Sequence, residues 1–344
     1  MKTPSTIYDV AKLAGTSVAT ASRVLSGSEY PVSPGTRQRV KEAAARLNYV
    51  PNTLAKSLRH CANPDIGVVL PSVSNPFYQQ ALIGISDVLS QNDCNIILCN
   101  TKLSAEKEHA CLRQLYERKV KGVILSSVDT SSDVIREYSQ KGMRFVLLDQ
   151  FFEDLKTPGL IFDTYTGAKL AVEHLISQGH KRIAFGTTSM DIWTRKQMFR
   201  GYRDALLTAG LEFDPDLVFE CPVEAILTST DQDLGIGRQI AFAYMNSDRS
   251  ATAIFCVNDM AAVGLMRTLQ IRNIHVPEDL SVVGFNDIPI AAAYNPPLTT
   301  ISYPAANAGK LAAMMLTDTL APEMALTMNL VPQLMERKTV KNLL

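Results

Sequence analysis

Apolar residues follow two different periods along this chain, and the change from one to the other divides it. Near the amino terminus the spacing is helical. Ile7, Val10, Ala11 and Ala14 form one face of an α-helix that Gly15 should end. Ser17 then suits the N-cap of a second helix, with Ala21, Val24 and Leu25 inward and Val18, Ala19, Ser22 and Arg23 outward. Gly27, Ser28 and Pro31 mark a turn, after which Ser33 and Pro34 read as the cap and first position of a third helix. That helix turns Val40, Ala43, Ala44 and Leu47 inward and Arg37, Lys41 and Arg46 outward. Short helices joined by a glycine-containing turn describe a helix-turn-helix module, whose second helix enters the major groove of DNA.

From Asp65 onward, short apolar runs alternate with amphipathic segments. Ile66 to Leu70, Asn95 to Cys99, Gly122 to Ser126, Arg144 to Leu148, Lys181 to Phe185, Ala253 to Val257 and Ser281 to Phe285 read as buried strands. Between them Tyr78 to Ser90, Ala105 to Arg118, Thr166 to Gln178 and Ala261 to Ile271 read as helices. This alternation predicts an α/β fold of doubly wound parallel sheets, in two similar successions that meet near Asp163. Ligands of such sheets bind beyond the carboxyl ends of the strands. Asn75, Phe77, Asp149, Asn258 and Asn286, with Asp259 and Asp287, follow those ends and make a polar cleft if the lobes face each other. Each one alone reads equally well as a helix cap or turn residue.

Charge sharpens the division. The chain of 344 residues has a formal net charge of zero, yet its first sixty residues carry nine basic against three acidic side chains. A head of +6 on a body of −6 fits a nucleic-acid contact, although a solvated basic face explains charge alone. Arg23 is long enough to reach a guanine edge or a phosphate. Val18 and Ala19 offer apolar contact to a thymine methyl, or merely avoid clashes. Between head and body, Asn52 can cap a short helix from Thr53 to Leu58, with Leu54 and Leu58 on one face. Alone it is marginal, so it needs a second copy or DNA to hold it, the alternative being a plain linker.

The six cysteines have no metal-ligand spacing and read as reduced thiols, and no signal peptide or membrane span is visible, so the expected location is the cytoplasm with no membrane partner. No cofactor is expected. A dehydrogenase would need a glycine-rich turn after a strand, and Gly235-Ile236-Gly237 lacks the third glycine and follows no clear strand. His60, His109, His174, His180 and His275 are dispersed, leaving no catalytic constellation. A DNA-binding regulator, a sugar-binding module with another output, and a metabolic enzyme remain, in that order.

The stretches "TIYDVAKLAGTSVATASRVLSG", "VSPGTRQRVKEAAARLNYVPN" and "LAKSLR" resemble the DNA-binding head and hinge of the LacI/GalR family of bacterial transcription regulators. "DTYTGAKLAVEHLISQGHKRIAF", "CVNDMAAVGLMRTLQIRNIHVPEDLSVVGFNDI" and "PPLTTI" are similar to the family's effector-binding core, which shares the fold of periplasmic sugar-binding proteins. The resemblance implies a head over 1–50, a hinge helix and linker over 51–64, and an effector domain over 65–344. Its first lobe is expected at about 65–162 and 294–327 and its second at about 163–293 and 328–344, with three crossovers between them. DNA contacts are implied for Thr6, Tyr8, Ser17, Val18, Ala19, Thr20, Ser22, Arg23, Asn52 and Leu58, the last wedged into the centre of a palindromic operator. The Val18-Ala19 pair looks like that of galactose-responsive members.

For the effector, the strand-end positions Asn75 and Phe77, with Asp149, Asn258, Asn286 and the segment of Trp193, Arg195 and Met198 that the resemblance places in the cleft, are expected to hold a sugar or sugar derivative. Met198 stands where many members have arginine, and Asn286 where many have aspartate. Arg195 or Arg200 could supply the missing cation, and Pro222 to Leu234 fits the family pattern poorly. The expected protein is a homodimeric repressor of a carbon-source uptake or catabolic operon, released from DNA by its effector. A sugar acid, a nucleoside or a protein co-effector is the alternative signal. No leucine heptad precedes Leu344, so the tetramer-forming tail of some members is not expected.

Overall fold

The computed structural model describes residues 5–25, 30–49, 64–222, 232–319 and 327–344. The chain forms two compact units, Met1–Asn63 and Pro64–Leu344. The expected hinge helix, with Asn52 and Leu58, lies outside the described residues, as do residues 223–231.

The first unit contains α1 (Ile7–Ala14), α2 (Val18–Leu25) and α3 (Pro34–Arg46). Its boundaries are set by side-chain caps. Thr6 and Asp9 close a reciprocal capping box on α1, and Gly15 ends that helix at φ 64°, a left-handed conformation that suits glycine. Ser17 Oγ accepts from Thr20 N at 3.1 Å and Ser33 Oγ from Thr36 N at 3.3 Å, so α2 and α3 start where the serines predict. Val10, Ala11, Ala14, Ala21, Val24, Val40, Ala43 and Ala44 make a small core.

In the second unit, β1 (Asp65–Leu70), α4 (Pro76–Gln91), β2 (Asn95–Asn100), α5 (Ala105–Glu117), β3 (Gly122–Leu125), α6 (Asp133–Gln140), β4 (Phe145–Leu148) and β5 (Gly159–Phe162) build the first lobe. There follow α7 (Thr164–Ser177), β6 (Ile183–Thr188), α8 (Trp193–Thr208), β7 (Val218–Cys221), α9 (Gln232–Asn246), β8 (Ala253–Cys256), α10 (Asp259–Ile271), β9 (Ser281–Asn286), α11 (Pro289–Ala293) and β10 (Thr299–Ser302) in the second. Then α12 (Ala305–Leu316) and β11 (Met328–Leu330) return to the first lobe, and β12 (Gln333–Met335) crosses to the second.

Both sheets have six strands, in the orders β11-β5-β4-β3-β1-β2 and β12-β10-β9-β8-β6-β7. All neighbours are parallel except β10 and β12. Two of the expected lobe boundaries are therefore displaced. The return to the first lobe falls after Ser302 rather than at 294, because β10 pairs with β9. The final crossing falls after Leu330 rather than at 328, because β11 pairs with β5.

Helices seal the lobes at close range. A Cβ on Gly84 of α4 would lie 1.9 Å from the Ala306 carbonyl oxygen, and one on Gly237 of α9 would lie 1.9 Å from that of Ala261. Gly237 thus packs α9 onto α10. The Gly235-Ile236-Gly237 stretch sits inside this helix and not in a nucleotide-binding turn.

Candidate functional site

The carboxyl ends of both sheets converge on one cavity of about 370 Å³. That volume lies in the ~300–1,000 Å³ range of small-molecule sites. Asn75, Phe77, Asp149, Arg195, Asn258 and Asn286 line it, as do Tyr78, Phe162 and Phe285. Aromatic faces thus surround a set of polar groups. Asn75 and Asn258 also serve as N-caps: Asn75 Oδ1 accepts from Phe77 N at 3.0 Å, and Asn258 Oδ1 from Ala261 N at 2.8 Å. The cap and cleft roles therefore coincide, each cap fixing which way the amide of its side chain points.

Asp149 follows β4 with φ 60°, a left-handed conformation uncommon for a residue with a side chain. Burial pushes its carboxyl up to about 7, against the opposing pull of the Arg195 guanidinium. Near neutrality it can accept a hydrogen bond as carboxylate or donate one as acid. Asp149 Oδ1 and Arg195 Nε are both buried without a hydrogen-bond partner. Unsatisfied buried groups of opposite charge lining one cavity are what a polar ligand would complete.

Two expected effector residues lie elsewhere. Met198 is fully buried on α8 and accepts at Sδ from Arg195 Nη1 at 3.6 Å. It faces the hydrophobic core because it shares a helical face with Tyr202 and Ala205. Trp193 packs against Phe151, ring centroids 5.8 Å apart, and is not on the cavity wall. Of the two candidate replacement cations, Arg195 lines the cavity, one turn before Met198. Arg200 is exposed and lies over the Tyr165 ring at 5.7 Å.

Asp233 was not foreseen. It lines the cavity from the first turn of α9 and bonds to Asn75 Nδ2 at 3.1 Å and Ser72 Oγ at 3.4 Å. Burial raises its carboxyl above the ordinary range, opposed by these donors and by Asn258 and Arg195. Its place in the first turn of the helix that follows β7 is the signal that could have revealed it.

On the head, Ser17, Thr20, Arg23, Tyr30 and Arg39 line a shallow groove. The Arg23 guanidinium lies 4.0 Å from the centroid of the Tyr30 ring. Ala19 and Arg23 are exposed and Ser22 is half-exposed, as expected of an outward face. Val18 instead packs half-buried against the head's core, because the first residue of α2 lies beside the turn from α1. Thr6 is engaged in its capping box, and Tyr8 is 69% exposed.

A DNA-binding helical head and a two-lobed sugar-binding fold define a class of ligand-responsive regulators. Comparison with known sequences specifies which one. The family of bacterial regulatory proteins named after lacI matches residues 6–52, and the periplasmic binding proteins and sugar binding domain of the LacI family match residues 63–332. The chain belongs to the LacI family. The transcriptional repressor PurR of Aliivibrio fischeri is 32% identical over 315 residues, covering 91% of each chain. The Lac repressor dimer bound to operator and the anti-inducer ONPF superposes with a TM-score of 0.78 at 27% identity, over 98% of this chain and 100% of that one. A LacI-family regulator from Enterococcus faecium with bound ribose gives 0.71 at 28% identity, over 81% of this chain and 100% of that one.

The protein is therefore a DNA-binding transcription regulator with an effector-binding domain, and its relatives are regulators, not enzymes. Among the described residues no helix is long and apolar enough to cross a membrane.

Proposed function

We propose that this regulator is a repressor that binds a palindromic operator as a homodimer, and that a neutral, hydroxyl-rich sugar in the cleft releases it, controlling a carbon-source uptake or catabolic operon. The observation that carries the choice of ligand is the pair of unpartnered buried atoms, Asp149 Oδ1 and Arg195 Nε, on the cavity wall. A sugar hydroxyl both donates and accepts, so one such ligand completes both. The cavity's formal charges favour a neutral ligand over an anion, since among the described lining residues Asp149, Asp191 and Asp233 face a single guanidinium, that of Arg195. Phe77, Phe162 and Phe285 supply apolar surface for the sugar ring. The ribose bound by the Enterococcus faecium regulator supports the same chemistry.

Exposed apolar side chains at one edge of the first lobe support the dimer. Ile83 on α4 is 60% exposed and Leu98 on the edge strand β2 44%. Edge strands with such side chains invite a partner. On the head, Ser17, Thr20 and Arg23 present the face that meets DNA, with Arg23 reading a base edge or holding a phosphate.

A thermal-shift screen against neutral sugars, sugar acids, sugar phosphates and nucleosides tests the ligand class, because a ligand of the native state raises the melting midpoint. Neutral sugars are expected to give the shifts. Shifts confined to anionic compounds would overturn the charge argument.

A further inference from the structure

Asp233 belongs to the second lobe, yet both of its closest donors belong to the first. Its carboxylate is only 8% exposed, and Ser72 and Asn75, which follow β1, are 4% and 5% exposed. Asn75 Nδ2 donates to Asp233 Oδ1 at 3.1 Å and Ser72 Oγ to Asp233 Oδ2 at 3.4 Å. The Asn75 amide is held in the orientation this needs, because its oxygen is engaged by Phe77 N at the start of α4. A carboxylate offers about four acceptor positions, so these two donors leave acceptor capacity on Asp233. Asp233 also lines the cavity.

We infer that Asp233 is the clasp that couples occupancy of the cleft to closure of the lobes. It ties the second lobe to Ser72 and Asn75. A ligand hydroxyl that takes a free acceptor position adds a bond to the same carboxylate, so binding and closure reinforce each other. Asp233 acts here as a positioning residue as well as a ligand contact. The ligand arm of this inference rests on the reading of the cleft as the effector site, whereas the clasp itself does not.

The chain carries its own reporter of closure. Its only tryptophan, Trp193, stands at the start of α8 in the second lobe and packs on Phe151, which follows β4 in the first. Opening the lobes separates these rings and admits a quencher. Losing a hydrogen bond to a charged group raises the open population by at least about ten-fold.

The experiment is acrylamide quenching of Trp193 in the full-length protein, for wild type, Asp233→Ala, Asn75→Ala and the double variant, with no ligand present. Each single variant is expected to raise quenching and the double variant to add little beyond Asp233→Ala, because both remove the same clasp. Asp233→Asn, which keeps the shape, is expected to fall between wild type and Asp233→Ala. Melting curves show which variants are folded. Wild-type quenching in folded Asp233→Ala, or additive effects in the double variant, would overturn the clasp.

The second arm titrates D-ribose and a panel of other neutral monosaccharides into each protein. A sugar that suppresses quenching in wild type is expected to do so on the order of ten-fold more weakly in Asp233→Ala. Equal affinity for both would overturn the coupling of clasp to ligand. If no sugar binds wild type, the reading of the cleft fails while the ligand-free comparison still decides the clasp.

Discussion

Asp149 of the first lobe and Arg195 of the second line the same cavity, the Arg195 guanidinium acting on the Asp149 carboxyl, yet Asp149 Oδ1 and Arg195 Nε each remain without a hydrogen-bond partner. A protein that needed these groups only for stability would have paired them. Left open, they are preorganised for a guest that brings both a donor and an acceptor. Asp149→Ala should therefore weaken sugar binding by about 10–100-fold, the equivalent of a hydrogen bond to a charged group, with the fold retained. Isothermal titration with a sugar found in the thermal-shift screen measures it, and unchanged affinity would remove Asp149 from the site.

The same carboxyl makes stability depend on pH. Its ordinary value is 3.8 and burial in the folded protein moves it up to about 7. A raised carboxyl favours folding fully at a pH below its unfolded value, and that contribution is lost as pH rises through the folded value. Asp259, moved up to about 7 by burial as well, acts in the same sense. The melting midpoint of the core should fall between about pH 4 and 7, and Asp149→Asn should flatten part of that fall. An unchanged slope in the variant would show that this carboxyl does not titrate in the window.

At the head, Arg23 lies over Tyr30 at 4.0 Å from the ring centroid. Exposed cation–π contacts are worth about 0.5–1 kcal/mol, so Tyr30→Ala should weaken operator binding only a few-fold. Arg23→Ala should instead reduce discrimination among operator variants. Fluorescence anisotropy on matched and substituted duplexes separates the two outcomes. An equal loss on specific and random DNA would assign Arg23 to phosphate contact.

Helix packing offers a control outside both sites. Gly237→Ala places a Cβ where Gly237 now lies against the Ala261 carbonyl, 1.9 Å from its oxygen. Overpacking of this kind costs about 1–3 kcal/mol, readable as a lowered urea midpoint. Unaltered stability would mean that α9 and α10 slide apart freely.

The first lobe's exposed edge makes a further claim. Leu98→Asp, on the edge strand β2, should convert the proposed dimer to monomer at micromolar concentration. Sedimentation velocity reads this directly, and a persistent dimer would place the interface elsewhere.

Much of this was legible in the residues. Ser17 and Ser33 announce helix starts because a side-chain oxygen one turn upstream is the local answer to unpaired amides. Asn75, Asp149, Asn258 and Asn286 were found because strand ends converge wherever sheets are parallel. Met198 was misplaced by a correspondence of position with other members, although its spacing to Tyr202 and Ala205 already described a core face. The short strands Thr299–Ser302 and Met328–Leu330 carry too few residues to show a period, so their sheet membership depends on tertiary pairing. Asp233 was hidden for the same reason. Its preceding strand, Val218–Cys221, is brief and contains Glu220, so the strand-end rule was not applied there.

The measurement that tests the central claim most directly begins with selection of bound sites from a random duplex library by the full-length protein. Anisotropy titrations of the selected duplex, with and without a neutral sugar from the screen, then follow. A palindromic site whose affinity falls at least ~10-fold on adding the sugar is the expected result, a coupling of ordinary size for a ligand-gated switch. Selection of a single half-site, or an affinity indifferent to every sugar that binds the cleft, would contradict it.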